Sequence, residues 1–242
     1  MVRFRVGKSY RFKRMKVAAI IFSRMASSRL PGKALRHIAG EPLIKRVINR
    51  VSKVKKVSTV VVATSNSKND DRLVEYIQSL NIEVFRGAAH DVLNRAVSCA
   101  SYLGVDKFIR INGDSPLIDP ELLEKGIEMW REPNLDLISN VFPRTYPVGT
   151  SVEIIKTDSL KKILSLTVDS CDREHVTRFF YRNPEKFRIL NFESGRSELR
   201  EVRLAVDTEE DLERIDWLFK EFGGLINFEM AAEKSLLWSS VE

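Results

Sequence analysis

Short apolar runs alternate with amphipathic stretches along most of the chain. Val17–Phe22, Thr59–Ala63, Ile82–Phe85, Lys107–Ile111 and Leu135–Ser139 have the length and composition of strands. Between the first two, Leu43, Ile44, Val47, Ile48 and Val51 recur at helical spacing, with Lys45, Arg46, Asn49 and Arg50 on the opposite face. Asn69–Leu80 predicts a second helix, and Val92, Leu93, Ala96, Val97, Ala100 and Leu103 mark a third. Pro120–Trp130 predicts a fourth. Strands separated by helices imply right-handed βαβ units, hence an α/β fold with a single doubly wound, mostly parallel sheet.

After Asn140 the rhythm changes. Phe142–Pro147 holds two prolines and a tyrosine, and Val148–Ile155 reads as a strand. Ser159–Ser165 and Arg173–Tyr181 read as helices, Phe187–Phe192 and Val202–Val206 as strands, and Glu209–Phe222 as a closing helix. Residues 142–200 are therefore expected to form an inserted α+β lobe over the carboxyl edge of the sheet.

Composition narrows the class. At 242 residues and 43% hydrophobic, the chain can bury a full core. Its formal charge of +7 suggests nucleic acid or an anionic surface at first sight. Six of those charges (Arg3, Arg5, Lys8, Arg11, Lys13, Arg14) lie in residues 1–14, which contain no acid, so the remainder carries only +1. Residues 1–14 are read as a basic leader and 15–242 as the domain. A nucleic-acid binder acting through that leader is the non-enzymatic alternative, and the near-neutral body argues against it. No apolar stretch has the length of a membrane span, and Cys99 and Cys171 lie far apart in sequence without metal-site spacing, as expected of a reduced cytoplasmic protein.

The candidate chemistry begins where the first strand ends. Ser23–Lys33 reads SRMASSRLPGK, a loop with three cations (Arg24, Arg29, Lys33), three serines and a glycine. Charge-assisted donors are what a polyphosphate needs, and the loop after the first strand of an open α/β sheet is where such folds place ligands. Asp114 follows Lys107–Ile111 in the turn INGDSPLID, with Asp119 better placed to cap the next helix. Asp207 ends Val202–Val206, where an ordinary N-cap role is the competing reading. Two aspartates at strand ends facing a cationic loop make, together with phosphate oxygens, the usual donor set for Mg²⁺. His175 in REHVTRFF is either a polar site residue or a helix-face residue packed on Phe179 and Phe180. Phe179, Phe180, Tyr181 and Phe187 read as inter-lobe or dimer packing rather than a stacking platform.

The runs IIFSRMASSRLPGKAL, VVVATSNS, INGDSPLIDPEL and RLAVDTEEDL resemble, in the same order, the cytidylyltransferases that activate 2-keto sugar acids. These include the 3-deoxy-manno-octulosonate and acylneuraminate enzymes. FRGAAHDVLNR and REHVTRFFYRNPEKF are most similar to the spore coat polysaccharide biosynthesis protein F group. The resemblance implies a Rossmann-like nucleotide-diphospho-sugar transferase fold, CTP as substrate, Mg²⁺ as cofactor and a sugar or sugar acid as acceptor. It places Ser23, Arg24, Ser28, Arg29 and Lys33 on the triphosphate, Thr64 and Ser65 near base and ribose, and Arg86 and Asp91 at the nucleotide-sugar cleft. Asp114 and Asp207 would hold the metal, with Arg24, Arg29, Lys33 and Asp114 carrying catalysis. Asn112 stands where those enzymes carry glutamine, so this turn leaves the base open. Tyr146, Glu153, Arg173, Glu174 and His175 fall in the sugar region. The expected activity is attack of a sugar hydroxyl on the α-phosphorus, giving a CMP-sugar and pyrophosphate for surface polysaccharide or glycan assembly. A glycosyltransferase of the same fold, using a ready-made nucleotide sugar, is the competing enzyme reading. The proline- and aromatic-bearing insert would suit a homodimer.

Overall fold

The computed structural model describes residues 17–238, and its architecture grows from one strand buried on both faces. In β1 (Val17–Phe22), Val17, Ala19 and Ile21 enter one hydrophobic core while Ala18 and Ile20 enter a second. A strand covered on both sides has no polar alternation to show, which is why it reads as a continuous apolar run. A small hairpin, β2 (His37–Ile38) and β3 (Glu41–Pro42), leads into α1 (Leu43–Val51). Then follow β4 (Val57–Ser65), α2 (Asp71–Ser79), β5 (Glu83–Gly87), α3 (Val92–Tyr102), β6 (Lys107–Asn112) and α4 (Pro120–Met129). The second half supplies β7 (Leu137–Ser139), β8 (Glu153–Lys156), α5 (Thr157–Leu166), α6 (Ser170–Glu174), α7 (Arg178–Arg182) and β9 (Ile189–Asn191). The chain closes with α8 (Glu209–Phe222) and α9 (Phe228–Ser235).

Seven strands form one sheet in the order β5-β4-β1-β6-β8-β7-β9. All neighbours are parallel except β8, which runs against β6 and β7. The mostly parallel, doubly wound sheet expected from the sequence is therefore present. Buried residues of α1, α2, α4, α8 and α9 cover one face, and those of α3, α5 and α7 cover the other. Among the described residues, no helix is long and apolar enough to cross a membrane. Cys99 is buried, Cys171 is exposed, and both thiols are free. The basic leader at 1–14 lies outside the described residues.

Several expected elements come out differently. Residues 142–200 do not stand apart as a lobe, because they contribute β8 and β9 to the central sheet. Val148–Ile155 is strand only from Glu153, since Gly149 (φ 103°) and the Thr150 N–H donating to Pro147 O turn the chain first. That turn also limits Val202–Val206 to a single bridge, Val148 with Arg203, so the segment is an extended ribbon rather than a strand. Arg173–Tyr181 splits into α6 and α7 at His175, where the backbone leaves helical geometry and Val176 becomes wholly buried. Phe180 and Phe187 pack at 4.7 Å inside the second core, so these aromatics serve the domain's own packing. Helix α9, capped by Asn227 and absent from the pattern reading, closes the first core with Phe228, Ala231 and Ala232.

The ribbon 202–206 delivers Asp207 to the carboxyl edge, and Gly149 lets it approach. A Cβ at Gly149 would meet Ala205 N and Leu204 C at 2.6 Å. Gly149→Ala is expected to cost about 3 kcal/mol through overpacking and a disfavoured positive φ, read as a lowered midpoint in urea unfolding. A wild-type midpoint would contradict this close approach.

Candidate active site

The loop after β1 is tied at both ends and in the middle. Ser23 N–H donates to Ala63 O at 3.3 Å, and Gly32 N–H returns to Met25 O at 3.0 Å. Leu30 and Ala34 insert into the core, and Lys33 between them is only 15% exposed. At its midpoint, Met25 N–H donates to Asp70 Oδ1 at 2.7 Å. The other Asp70 oxygen accepts the Thr64 hydroxyl at 2.8 Å, Ser65 N–H at 3.0 Å and the Ser65 hydroxyl at 2.5 Å. Burial pushes the Asp70 carboxyl up, but donors from Ser65, Met25 and Thr64 outweigh it and hold the group below the usual carboxylate range. Asp70 thus bolts the cationic loop to the end of β4.

The turn after β6 meets this loop at backbone distance. Gly113 N–H donates to Phe22 O at 2.9 Å, and a Cβ at Gly113 would lie 2.6 Å from Ser23 Cβ. Asp114 O accepts from Val206 N–H at 2.9 Å, which joins the turn to the ribbon ending at Asp207. Asp119 caps α4 by accepting from Glu121 and Leu122. Thr208 caps α8 in a capping box with Asp211. Neither Asp114 nor Asp207 is spent on a helix end, so both carboxylates face the loop.

The result is a cleft of about 340 Å³ that gathers Ser23, Arg24, Ser28, Arg29, Lys33, Asp114, Glu174, His175 and Asp207. Lys33 Nζ donates to Asp114 Oδ2 at 2.9 Å, Asp207 Oδ1 at 3.3 Å and Val206 O at 3.0 Å. Arg29, two-thirds exposed, pairs with Asp207. Arg24 pairs with Glu174 at 2.7 Å and donates to Ala89 O at 3.2 Å. Three cations face three carboxylates, so the cleft is balanced. A polyanion entering it would compete for the cations and would leave the two aspartates in need of another positive charge. Two hard oxygen donors converging on one ammonium fit a divalent cation that completes its shell with phosphate oxygens and water. Among the described residues, no group of three or more His, Cys, Asp or Glu side chains forms a self-sufficient metal site.

Other expected site residues lie elsewhere. Thr64 and Ser65 are buried, and their hydroxyls are committed to Asp70. Arg86 pairs with Asp71 at 2.8 Å and donates to Ser65 O and Ser67 O, bracing β4. Asp91 caps α3 and pairs with Arg173 at 2.8 Å. Arg173 also donates to Thr167 O and Leu164 O, which clamps the link between α5 and α6. Tyr146 is a core residue packed on Phe192 and Phe228, with its hydroxyl donating to Glu193 O at 3.2 Å. Glu153 and Asn112 line a second chamber, which shares His175 with the first cleft. His175 is exposed there, which excludes packing beneath Phe179 and Phe180. Sequence reasoning passed over Asp70, which looked like the first turn of a helix, and Arg110, and read Tyr181 only as packing; Arg110 and Tyr181 hold Glu153 at 2.5 and 2.7 Å.

Comparison with known proteins identifies the family. Residues 18–240 match the family model for cytidylyltransferases. The spore coat polysaccharide biosynthesis protein SpsF of Bacillus subtilis is 31% identical over 210 residues, covering 84% of this chain and 86% of that protein. The 3-deoxy-manno-octulosonate cytidylyltransferase of Geobacter metallireducens is 32% identical over 191 residues, covering 77% and 67% respectively. A solved cytidylyltransferase from Leptospira borgpetersenii superposes with a TM-score of 0.88 at 29% identity, over 94% of this chain and 96% of that one. A mostly parallel sheet with a cationic loop and two carboxylates, Asp114 and Asp207, at its carboxyl edge has the architecture of the nucleotidyltransferases. The chain belongs to the cytidylyltransferase family.

Asp70→Ala strands four donors, and the expected loss is about 3 kcal/mol of stability. Because the folded carboxyl titrates below its unfolded value, the Asp70 contribution is complete above about pH 4 and fades as pH falls through the folded value. Urea unfolding at a series of pH values checks this: the gap between wild type and variant should narrow only on the acid side. A gap independent of pH would rule out the ionised carboxylate as its source.

Proposed function

We propose that this chain is a CTP-dependent nucleotidyltransferase that activates a sugar acid, giving a CMP-sugar and pyrophosphate for surface polysaccharide assembly. The observation that carries the reading is Lys33 bridging Asp114 and Asp207 beside Arg24 and Arg29. An acceptor hydroxyl attacks the α-phosphorus in line, the bond to the β-phosphate oxygen breaks, and pyrophosphate leaves while the hydroxyl proton is released. Such transfers ask chiefly for positioning and charge stabilisation, so the site needs no protein nucleophile. Arg24, Arg29 and Lys33 neutralise charge that accumulates on the departing pyrophosphate, and Ser23 and Ser28 add neutral donors at the loop. Asp114 and Asp207 would hold Mg²⁺, which when bound supplies charge neutralisation and a template for phosphate oxygens. Support comes from the family, from the sugar-acid relative, and from a polysaccharide relative of nearly the same length.

The reading is tested by pyrophosphate release from CTP with Mg²⁺ and a sugar acid. Asp114→Asn is expected to lower turnover by about 10²–10³-fold at an unchanged melting temperature, and Lys33→Ala to weaken CTP in a thermal-shift titration. Stabilisation by a nucleotide sugar, without any by CTP, would assign the cleft to a glycosyltransferase instead.

A further inference from the structure

Behind the cationic loop lies a guanidinium that the phosphate site itself does not use. Arg95 of α3 is 2% exposed, and it meets no carboxylate at ion-pair distance among the described residues. Its Nη1 donates to Ala88 O at 2.5 Å, while its Nε finds no acceptor among the described residues. The carboxylates around it are already engaged. Asp70 holds Met25, Thr64 and Ser65, Asp91 holds Arg173, and Glu174 holds Arg24. Burial and the like charge of Arg24 work against the Arg95 charge, while Glu174, Asp70 and Asp91 favour it. Arginine cannot relieve that cost by losing its proton, so the charge stays in place.

The one bond Arg95 makes has a particular object. Residues 87–89, where β5 ends, present three consecutive carbonyls, and each is taken by a different part of the fold. Gly87 O accepts from Asn66 N–H, just past β4, at 2.9 Å. Ala88 O accepts from Arg95 on α3, and Ala89 O accepts from Arg24 in the cationic loop at 3.2 Å. The stem of Arg95 fills the space beside Gly87, where a Cβ would meet Arg95 Cγ at 2.9 Å and Arg95 Cβ at 3.3 Å. Arg95 therefore supports the segment with its stem and holds the middle carbonyl with its fork, and the next peptide is presented to Arg24. Arg24 itself is half-buried and is oriented only by that peptide and Glu174.

We infer that Arg95 is a positioning residue for the polyphosphate: it pins residues 87–89 so that Ala89 O holds Arg24 in the cleft. The inference rests on the nucleotidyltransferase reading, in which Arg24 is a phosphate ligand. Arg95 does not line the cleft, so its effect on a ligand passes through Arg24. A phosphate that takes Arg24 away from Glu174 leaves Ala89 O as the fixed contact of that side chain. Less rotamer freedom is then lost on binding than for an arginine tethered only by a carboxylate that the ligand displaces. A second guanidinium suits this role because its planar fork fixes the direction of the bond as well as its length.

The experiment is a double-mutant cycle on the full chain, read by isothermal titration with CTP and Mg²⁺. Arg95→Met is expected to weaken CTP about 10-fold, the low end of what removing a group that orients a ligating side chain costs. Arg95→Lys, which keeps one charged donor, should restore part of that loss. In an Arg24→Ala background the Met substitution should change CTP affinity by less than about 2-fold, because the side chain it acts through is gone. A purely structural role would weaken CTP equally in both backgrounds, and that result would overturn the inference. So would wild-type CTP affinity in Arg95→Met or in Arg24→Ala. Should Arg95→Met fail to fold, the same cycle with Arg95→Lys decides, with a loss of about 3-fold expected beside Arg24 and none without it. Failure of wild type to bind CTP at all would instead bring down the nucleotidyltransferase reading beneath it.

Discussion

The carboxyl edge of the sheet is organised around the ammonium of Lys33. It contacts the turn after β6 through Asp114 and the end of the 202–206 ribbon through Val206 O and Asp207. The three segments are far apart in the chain, and they converge because β1 and β6 are parallel neighbours and Val206 hydrogen-bonds to Asp114. Two carboxylates directed at one point repel each other unless a cation lies between them. A positive charge at that point is therefore a condition of the arrangement, and which cation supplies it can change as ligand enters.

Around that point the structure combines fixed and releasable parts. The backbone of the cationic loop is held by Asp70, whose carboxylate is buried and saturated with donors. The Arg29 pair with Asp207 is largely solvated, and such a pair is worth about 0–1 kcal/mol, so it is easily exchanged for a phosphate. Positions are set by buried groups, and charges are carried by side chains in solvated pairs.

The break between α6 and α7 separates two chambers. Burying Val176 turns the chain out of helical geometry at His175, which leaves that histidine exposed on the wall between the two chambers. Thr177, Arg178 and Tyr181 then fall on the far side, with Glu153 and Arg144. A continuous helix over Arg173–Tyr181 would not divide its residues between two chambers in this way.

Much of this was legible in the sequence. The bounds of β1, α1 and α8, the mostly parallel sheet, and the grouping of Arg24, Arg29, Lys33, Asp114 and Asp207 follow from local signals: apolar period, turn residues, and charge concentrated where strands end. What only the tertiary structure decided depends on partners distant in sequence. Thr64 and Ser65 are polar at a strand end and read as ligand contacts until buried Asp70 is seen to satisfy them. Tyr146 reads as a site tyrosine until Phe192 and Phe228 close around it. Val202–Val206 reads as a strand until the turn at Gly149 withdraws its neighbour after one bridge. Local sequence determines which backbone a segment favours and which groups it offers. Whether a polar group is left over for a ligand depends on which distant donors and acceptors have already claimed it, and that was decided only when the sheet assembled.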